Sequence, residues 1–368
     1  MQHEQREVTR VVIGGVDTHK DAHVAAVIDL VGRLLGTCSF PTTAAGYASL
    51  LKWTASFGVP LRIGVEGTSS YGTGLTRALR TAGVTVVEVN RPNRQLRRQR
   101  GKSDVVDAEA AAHAALAQDA PRIPKTQDGS VEILRLLRLQ RRSAIHARTQ
   151  AGNQLHAVVA SAPESIRRQL RELSLVRLVA TLQRRRTRKA ETPLESTTHA
   201  VLHGLARRWD QLDAEITSLT SQLEPLVREC APELLSRPGI GPEVAAALLV
   251  AAGDNPERLR NERSFAALCG VSPVDASSGR RRRHRLNRGG NRDANRALWV
   301  IAFVRWRMHP ETKTYAARRM AEGRTKLEVI RCLKRYIARE IFALLRPMRA
   351  ASVAAHVAPS VHHLEHAA

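Results

Sequence analysis

Residues 11–40 read VVIGGVDTHKDAHVAAVIDLVGRLLGTCSF, and the fold expected of this chain is decided there. Three β-prone runs are separated by the short breaks DTHKD and LVGR, a spacing that predicts an antiparallel meander. Beyond it, LRIGVEG predicts a fourth strand, YGTGLTRALRTAG a helix ended by Gly83, and VTVVEVN a fifth strand. A meander followed by alternating strand and helix predicts a mixed sheet flanked by helices, an α/β domain over residues 1–125.

From 126 to 230 the pattern changes to stretches rich in Leu, Arg, Gln and Ala with few glycines. EILRLLRLQRRSAIHARTQAGNQLHAVV and LARRWDQLDAEITSLTSQLEPLV repeat apolar residues every three or four positions, which fits an antiparallel helical pair or a coiled coil. A third, mainly helical region, 231–348, holds RPGIGPEVAAALLVAAG, a Gly- and Arg-rich loop from Gly270 to Asn291, and helices near RDANRALWVIAFVRWR and KLEVIRCLKRYIAREIFALL. Residues 349–368 form an Ala- and His-rich tail without periodicity, expected to be flexible. The fold class expected is α/β plus all-α.

Composition narrows the partners. The 368 residues contain 58 Lys plus Arg against 34 Asp plus Glu, a formal net charge of +24. Such an excess concentrates polyanions around the protein, with nucleic acid first among them. The longest apolar run, VAAALLVAAG, is far short of the roughly 20 residues of a membrane span. MQHEQREVTR carries no apolar signal core, so a cytoplasmic protein without membrane partners is expected. Cys38, Cys230, Cys269 and Cys332 form no CxxC pair and read as reduced thiols.

Four acids stand out. Asp17 ends the first predicted strand and Glu66 the fourth, where side chains can converge beyond a sheet. Asp104 and Asp107, in GKSDVVDAEA, are three residues apart, so a helix capped by Ser103 carries both on one face of its first turn. Carboxylates so crowded repel unless cations share the site, and the ion suited to them is Mg2+, which takes a few carboxylates plus water and phosphate oxygens. Two such ions could stabilise attacking and leaving oxygens in phosphoryl transfer. Just upstream, Arg94, Arg97, Arg98, Arg100 and Lys102 could hold a phosphate backbone.

A second stretch, CGVSPVDASSGRRRRHRLNRGGNRDANRALW, places Ser277 and Ser278 before Gly279 and a basic run, Arg280, Arg281, Arg282, Arg283 and Arg285, able to neutralise phosphates. A serine hydroxyl is a weak nucleophile until activated, and no local Ser-His-Asp spacing supplies a base. Upstream, Gly239 and Gly241 in RPGIG permit a tight turn before a helix whose first amides could meet phosphate. Aromatics are only 4% of the chain, so backbone and shape recognition is expected in preference to extensive base stacking.

Taken in order, GVDTHKD, VEGTSSYG, KSDVVDA, RPGIG, CGVSP, SSG and RGGNRDANRAL resemble the DEDD transposases of bacterial insertion sequences of the one-hundred-ten class, over nearly the whole chain except the tail. The resemblance implies a RuvC-like, ribonuclease-H-fold N-terminal domain, a helical coiled-coil segment and a C-terminal domain with a catalytic serine. Carried onto this chain, the acidic tetrad falls on Asp17, Glu66, Asp104 and Asp107, and the serine on Ser278, with Ser277 next in line. It further implies a recombinase that exchanges donor and target DNA through a phosphoserine, guided by a structured noncoding RNA, acting as a homodimer or homotetramer. The competing expectations are a RuvC-like junction nuclease using water, and a nucleic-acid-binding protein with a vestigial acidic cluster.

Overall fold

The computed structural model of the chain describes residues 10–89, 103–117, 122–184, 192–255, 259–279, 284–285 and 287–357. The chain packs as two units, one drawn from Met1–Gln127 and Gly253–Arg260, the other from Asp128–Ala252 and Asn261–Ala368.

In the first unit, β1 (Val11–Thr18), β2 (Ala22–Ile28), β3 (Leu34–Pro41), β4 (Val59–Glu66) and β5 (Val86–Val89) form one sheet in the order β3-β2-β1-β4-β5. The expected meander is present: β1 pairs antiparallel with β2, and β2 with β3. In the LVGR break, Asp29 Oδ1 accepts from the Val31 and Arg33 amides and Gly32 turns at φ +87°. An aspartate that mimics a backbone turn, followed by a glycine free to adopt positive φ, reverses the chain here. β4 runs parallel to β1, and β5 parallel to β4. The β1 interior is buried on both faces, as the uninterrupted VVIGGV run of a central strand requires.

Alternation along the strands assigns each residue a face. Val16, Ile63, Val65 and Val86 pack with Leu50 of α1 (Ala44–Ala55) and with Leu75 and Leu79 of α2 (Thr73–Thr81). On the opposite face Ile13, Ile28 and Val87 pack with Ala112 and Ala115 of α3 (Asp104–Leu116). Gly15, Asp17, Gly64 and Glu66 therefore share the face that α3 covers. The approach is close: a Cβ on Gly15 would lie 2.1 Å from the Ala112 amide nitrogen, and one on Gly64 2.4 Å from the Ala111 carbonyl oxygen. Glycine beneath and alanine above (Ala108, Ala111, Ala112 and Ala115, all buried) let the helix backbone rest on the sheet.

In the second unit, α4 (Ser130–Ser161), α5 (Glu164–Leu170), α6 (Leu175–Arg184) and α7 (Pro193–Cys230) are followed by α8 (Pro232–Leu235), α9 (Pro242–Ala252) and α10 (Glu262–Leu268). Then come a ribbon of β6 (Val274–Asp275) and β7 (His284–Arg285), and helices α11 (Arg292–Met308), α12 (Pro310–Ala321) and α13 (Lys326–Val357). The long helices α4 and α7 lie antiparallel: Gln140 donates to Glu215 and Arg141 to Thr220, while further along α4 Arg148 pairs with Asp213 and stacks over Trp209. Leu155 and Val159 meet Leu202 and Ala206 there, with Ile166, Leu178 and Leu182 closing the cluster. Thr192 and Glu195 form a reciprocal cap at the start of α7, with Pro193 at its first position. α9 is almost wholly buried, and Phe265 of α10 packs on Phe342 of α13. Glu262 joins these two helices by accepting from Arg335 at 2.6 Å and Arg339 at 2.7 Å.

No helix among the described residues is long and apolar enough to cross a membrane. All four cysteines are free; Cys269 is buried and the other three half-buried. Burial pushes the Cys269 thiol up to about 12.

Two outcomes test this packing. Gly15→Ala drives a methyl group into the α3 backbone, which cannot yield as a side chain can, and is expected to cost about 3 kcal/mol in denaturant unfolding. Gly14→Ala meets only the Ile63 side chain, at 3.0 Å, and is expected to cost distinctly less. Cys269, protonated and enclosed, should be the last of the four thiols alkylated in the native protein and should react with the others once it is unfolded.

Candidate metal centre and serine loop

The sheet and α3 determine where the four acids stand. Asp17 and Glu66 occupy the ends of adjacent parallel strands whose register pairs Val16 with Val65, and Thr18 Oγ1 donates to the Glu66 carbonyl at 2.8 Å, tying the two ends together. α3 begins at the same sheet face. Ser103, in extended conformation, caps it by accepting from the Val106 amide at 3.3 Å, and Asp104 and Asp107 lie in its first turn, where the helix dipole favours negative charge.

Asp17 is 8% exposed and Asp107 2%, whereas Asp104 is open to solvent. His19 joins them: its Nε2 lies 3.1 Å from Asp17 Oδ2 and 3.4 Å from Asp104 Oδ1. One ligand atom each from Asp17, His19 and Asp104 lie within 4.8 Å of one another. Burial raises the Asp17 carboxyl above the usual carboxylate range; His19 opposes the shift, and the charges of Asp107 and Asp104 add to it. An ionised Asp17 is thus held against both desolvation and like charge, the condition that a bound cation relieves. Oxygen donors on converging elements, with one imidazole beside them, fit a divalent ion. Glu66 shares the face of Asp17 but lies outside the three-residue group.

Reading of the sequence passed over His19, although it stands within DTHKD itself. Two positions after Asp17, it leaves the strand at the point where the chain turns back, and only the placement of α3 brings Asp104 within its reach.

The serine loop belongs to the other unit. β6 and β7 pair Val274 with Arg285 and Asp275 with His284. The Ser277 hydroxyl and amide both donate to Asp275 Oδ1, and these bonds hold the Asp275 carboxyl below its ordinary range, which makes it a poor proton acceptor. Ser278 is exposed beside Gly279, which turns at φ +54° with open space where a side chain would be.

The RGGNRDANRAL segment holds the base of this loop. Asn291 caps α11 by accepting from the Ala294 amide, its own amide donates to the Leu268 carbonyl at 2.6 Å, and Gly290 packs backbone to backbone on Gly270. Asn295 Nδ2 donates to the carbonyls of Cys269 and Gly270, and its Oδ1 accepts from the buried Lys334 ammonium at 2.6 Å. Gly239 makes the RPGIG turn at φ +77°, and Arg305 donates to the Pro238 carbonyl; a Cβ on Gly241 would meet open space. Arg94, Arg97, Arg98, Arg100 and Lys102, together with Arg280, Arg281, Arg282 and Arg283, lie outside the described residues. Arg285 is exposed on β7.

Known proteins bear on this arrangement. Residues 14–162, which include all four acids, match a family model described as the transposase of the DEDD type of IS110. Residues 231–317, which include the serine loop, match one described as the transposase of the IS116/IS110/IS902 family. The chain is 31% identical over 157 residues to the 43.6 kDa protein of insertion element IS110 from Streptomyces coelicolor, covering 42% of this chain and 38% of that protein. It is 27% identical to the mini-circle protein described as a transposase for IS117 from the same organism, covering 86% and 89% of the two chains. To the 42 kDa protein of IS900 from Mycobacterium paratuberculosis it is 28% identical, over about half of each. With its acid-bearing and serine-bearing segments matched in order by these models, the chain belongs to the IS110 family of transposases.

Proposed function

We propose that this protein cleaves and exchanges DNA strands for an insertion element, with Ser278 as nucleophile and the acid cluster as the site of a divalent cation. The observation that carries the reading is the convergence of Asp17, Asp104 and Asp107 at one end of one sheet face, with Glu66 on the neighbouring strand end. Asp17 and Asp104, backed by Glu66 and Asp107, would hold Mg2+ as a pair of ions. Such an ion, when bound, supplies Lewis-acid polarisation of a phosphate oxygen.

The Ser278 hydroxyl attacks the scissile phosphorus and gives its proton to water, while the bond from phosphorus to the sugar oxygen breaks and that oxygen takes up a proton from solvent to leave as a hydroxyl. The broken strand is kept as a phosphoserine ester until another sugar hydroxyl reverses the step. Ser277, engaged with Asp275, is the less available of the two hydroxyls, which supports assigning the attack to Ser278. The α4–α7 segment is suited to hold a dimer or tetramer together. The charge of +24 suits donor DNA, target DNA and a structured guide RNA held through their backbones. A RuvC-like nuclease, with water as nucleophile, is the competing reading.

Ser278→Ala is expected to abolish a covalent protein–DNA adduct, trapped by denaturing electrophoresis, without changing thermal stability, while Ser277→Ala retains it. Metal-dependent cleavage with no adduct in the wild-type protein would instead establish the water-using nuclease. The metal centre has its own signature. At neutral pH an ionised Asp17 opposes folding, because its pKa is raised in the folded state. Asp17→Asn should therefore raise the melting temperature of the metal-free protein, on the order of 2 °C, and abolish the further rise that Mg2+ or Mn2+ gives the wild type. Asp104→Asn, at an exposed position, should lose the metal-induced rise with little change in the metal-free protein.

A further inference from the structure

One face of α11 has no part in the reading above. Ala294, Ala297, Leu298, Ile301 and Ala302 turn the inner side of this helix into the core. On the outer side Arg292, Arg296, Trp299, Phe303 and Arg307 are all exposed, at steps of four, three, four and four residues, so they form one stripe along the helix. Trp299 is 42% exposed and Phe303 39%, and their rings stack with centroids 5.1 Å apart and planes 9° from parallel. The Arg307 guanidinium lies over Phe303, 5.8 Å from its centroid. Arg307, Phe303 and Trp299 thus make a column, and Arg296 stands three residues before Trp299 on the same exposed stripe.

We infer that this stripe is a stacking platform for single-stranded DNA, an unpaired base lying on Trp299 while Arg296 and Arg307 hold the flanking phosphates. Single exposed apolar residues need no explanation, but two stacked rings between cations, in a chain with four Trp and five Phe in all, are a localised feature. Charge selects the occupant. Every charged residue exposed on this face is an arginine, and the nearby Asp293 is engaged with Arg142 at 3.2 Å and Arg138 at 3.8 Å. A second copy presenting the same face would set arginine against arginine, whereas a polyanion neutralises them. Single strands are favoured over duplex because only unpaired bases offer a free ring face, and aromatic stacking with cationic flanks is how such strands are held irrespective of sequence. The choice of DNA rests on the strand-exchange reading, in which cleavage releases unpaired strand ends.

The experiment is fluorescence anisotropy of a labelled oligothymidylate against the full chain, run beside a duplex and an RNA of equal length. It requires no cleavage, so its failure is separate from loss of the serine adduct. Trp299→Leu, which keeps apolar bulk without the ring, should weaken single-strand binding about tenfold and leave duplex binding unchanged, while Trp299→Phe retains most of the affinity. Arg296→Gln should lower the slope of log affinity on log salt by about 0.7, the loss of one phosphate contact. The inference is overturned if Trp299→Leu binds the oligothymidylate as tightly as the wild type. It is equally overturned if single strand and duplex weaken alike, if RNA and not DNA depends on the ring, or if the variant alters only the oligomeric mass in sedimentation.

Discussion

The structure of the acid-bearing unit depends on how closely one helix backbone approaches one sheet. α3 can lie on β1 and β4 only because Gly15 and Gly64 present no side chain and the helix answers with alanine. That contact fixes the height and the axial position of α3, and so decides that its first turn, carrying Asp104 and Asp107, ends beside Asp17. A larger residue at either glycine would hold the helix away and separate the carboxylates, since packed interiors transmit such displacements in place of absorbing them. Two motifs far apart in the chain, GGVD and SDVVDA, are one device: the glycines seat the helix that the aspartates begin.

Electrostatics then explains what the seating is for. A chain with so large a positive charge surrounds a small group of acids, and the most buried of these interact with one another as well as with His19. An ionised Asp17, buried beside Asp104 and Asp107, opposes folding, a cost that structure alone does not repay. The helix dipole at the start of α3 and the imidazole of His19 offset part of it. Under the function proposed above, a divalent ion would offset the rest and give the cluster a chemical use.

The serine loop is governed by a different economy of contacts. Asn291 and Asn295 bond to Leu268, Cys269 and Gly270, and Lys334 fixes Asn295 from α13, so the segment leading into the loop is held from α11 and α13 while Ser278 is exposed. The residues of RGGNRDANRAL act here as caps and braces, a role that a list of nucleic-acid contacts would not suggest. Such support beneath an exposed hydroxyl suits the nucleophilic role proposed for Ser278.

Much of this was legible beforehand. The meander, the mixed sheet, the Ser103 cap and the two long helices α4 and α7 follow from periodicity and capping chemistry, which are local properties. The same holds for the pairing of Asp104 with Asp107 on one helical face, since both belong to one turn. His19 was not legible, because its importance lies in a distance to Asp104 set by a contact between Gly15 and Ala112, nearly a hundred positions apart in the chain. Composition counts the aromatics without placing them, whereas helical geometry gathers Trp299 and Phe303 onto one exposed face of α11. The amino-acid sequence by itself determined which elements form and which residues carry charge, since hydrogen bonding and side-chain pattern act over a few residues. Only the tertiary structure decided which of those charges meet, because that depends on how near two backbones can come, and here the missing side chains of two glycines set the limit.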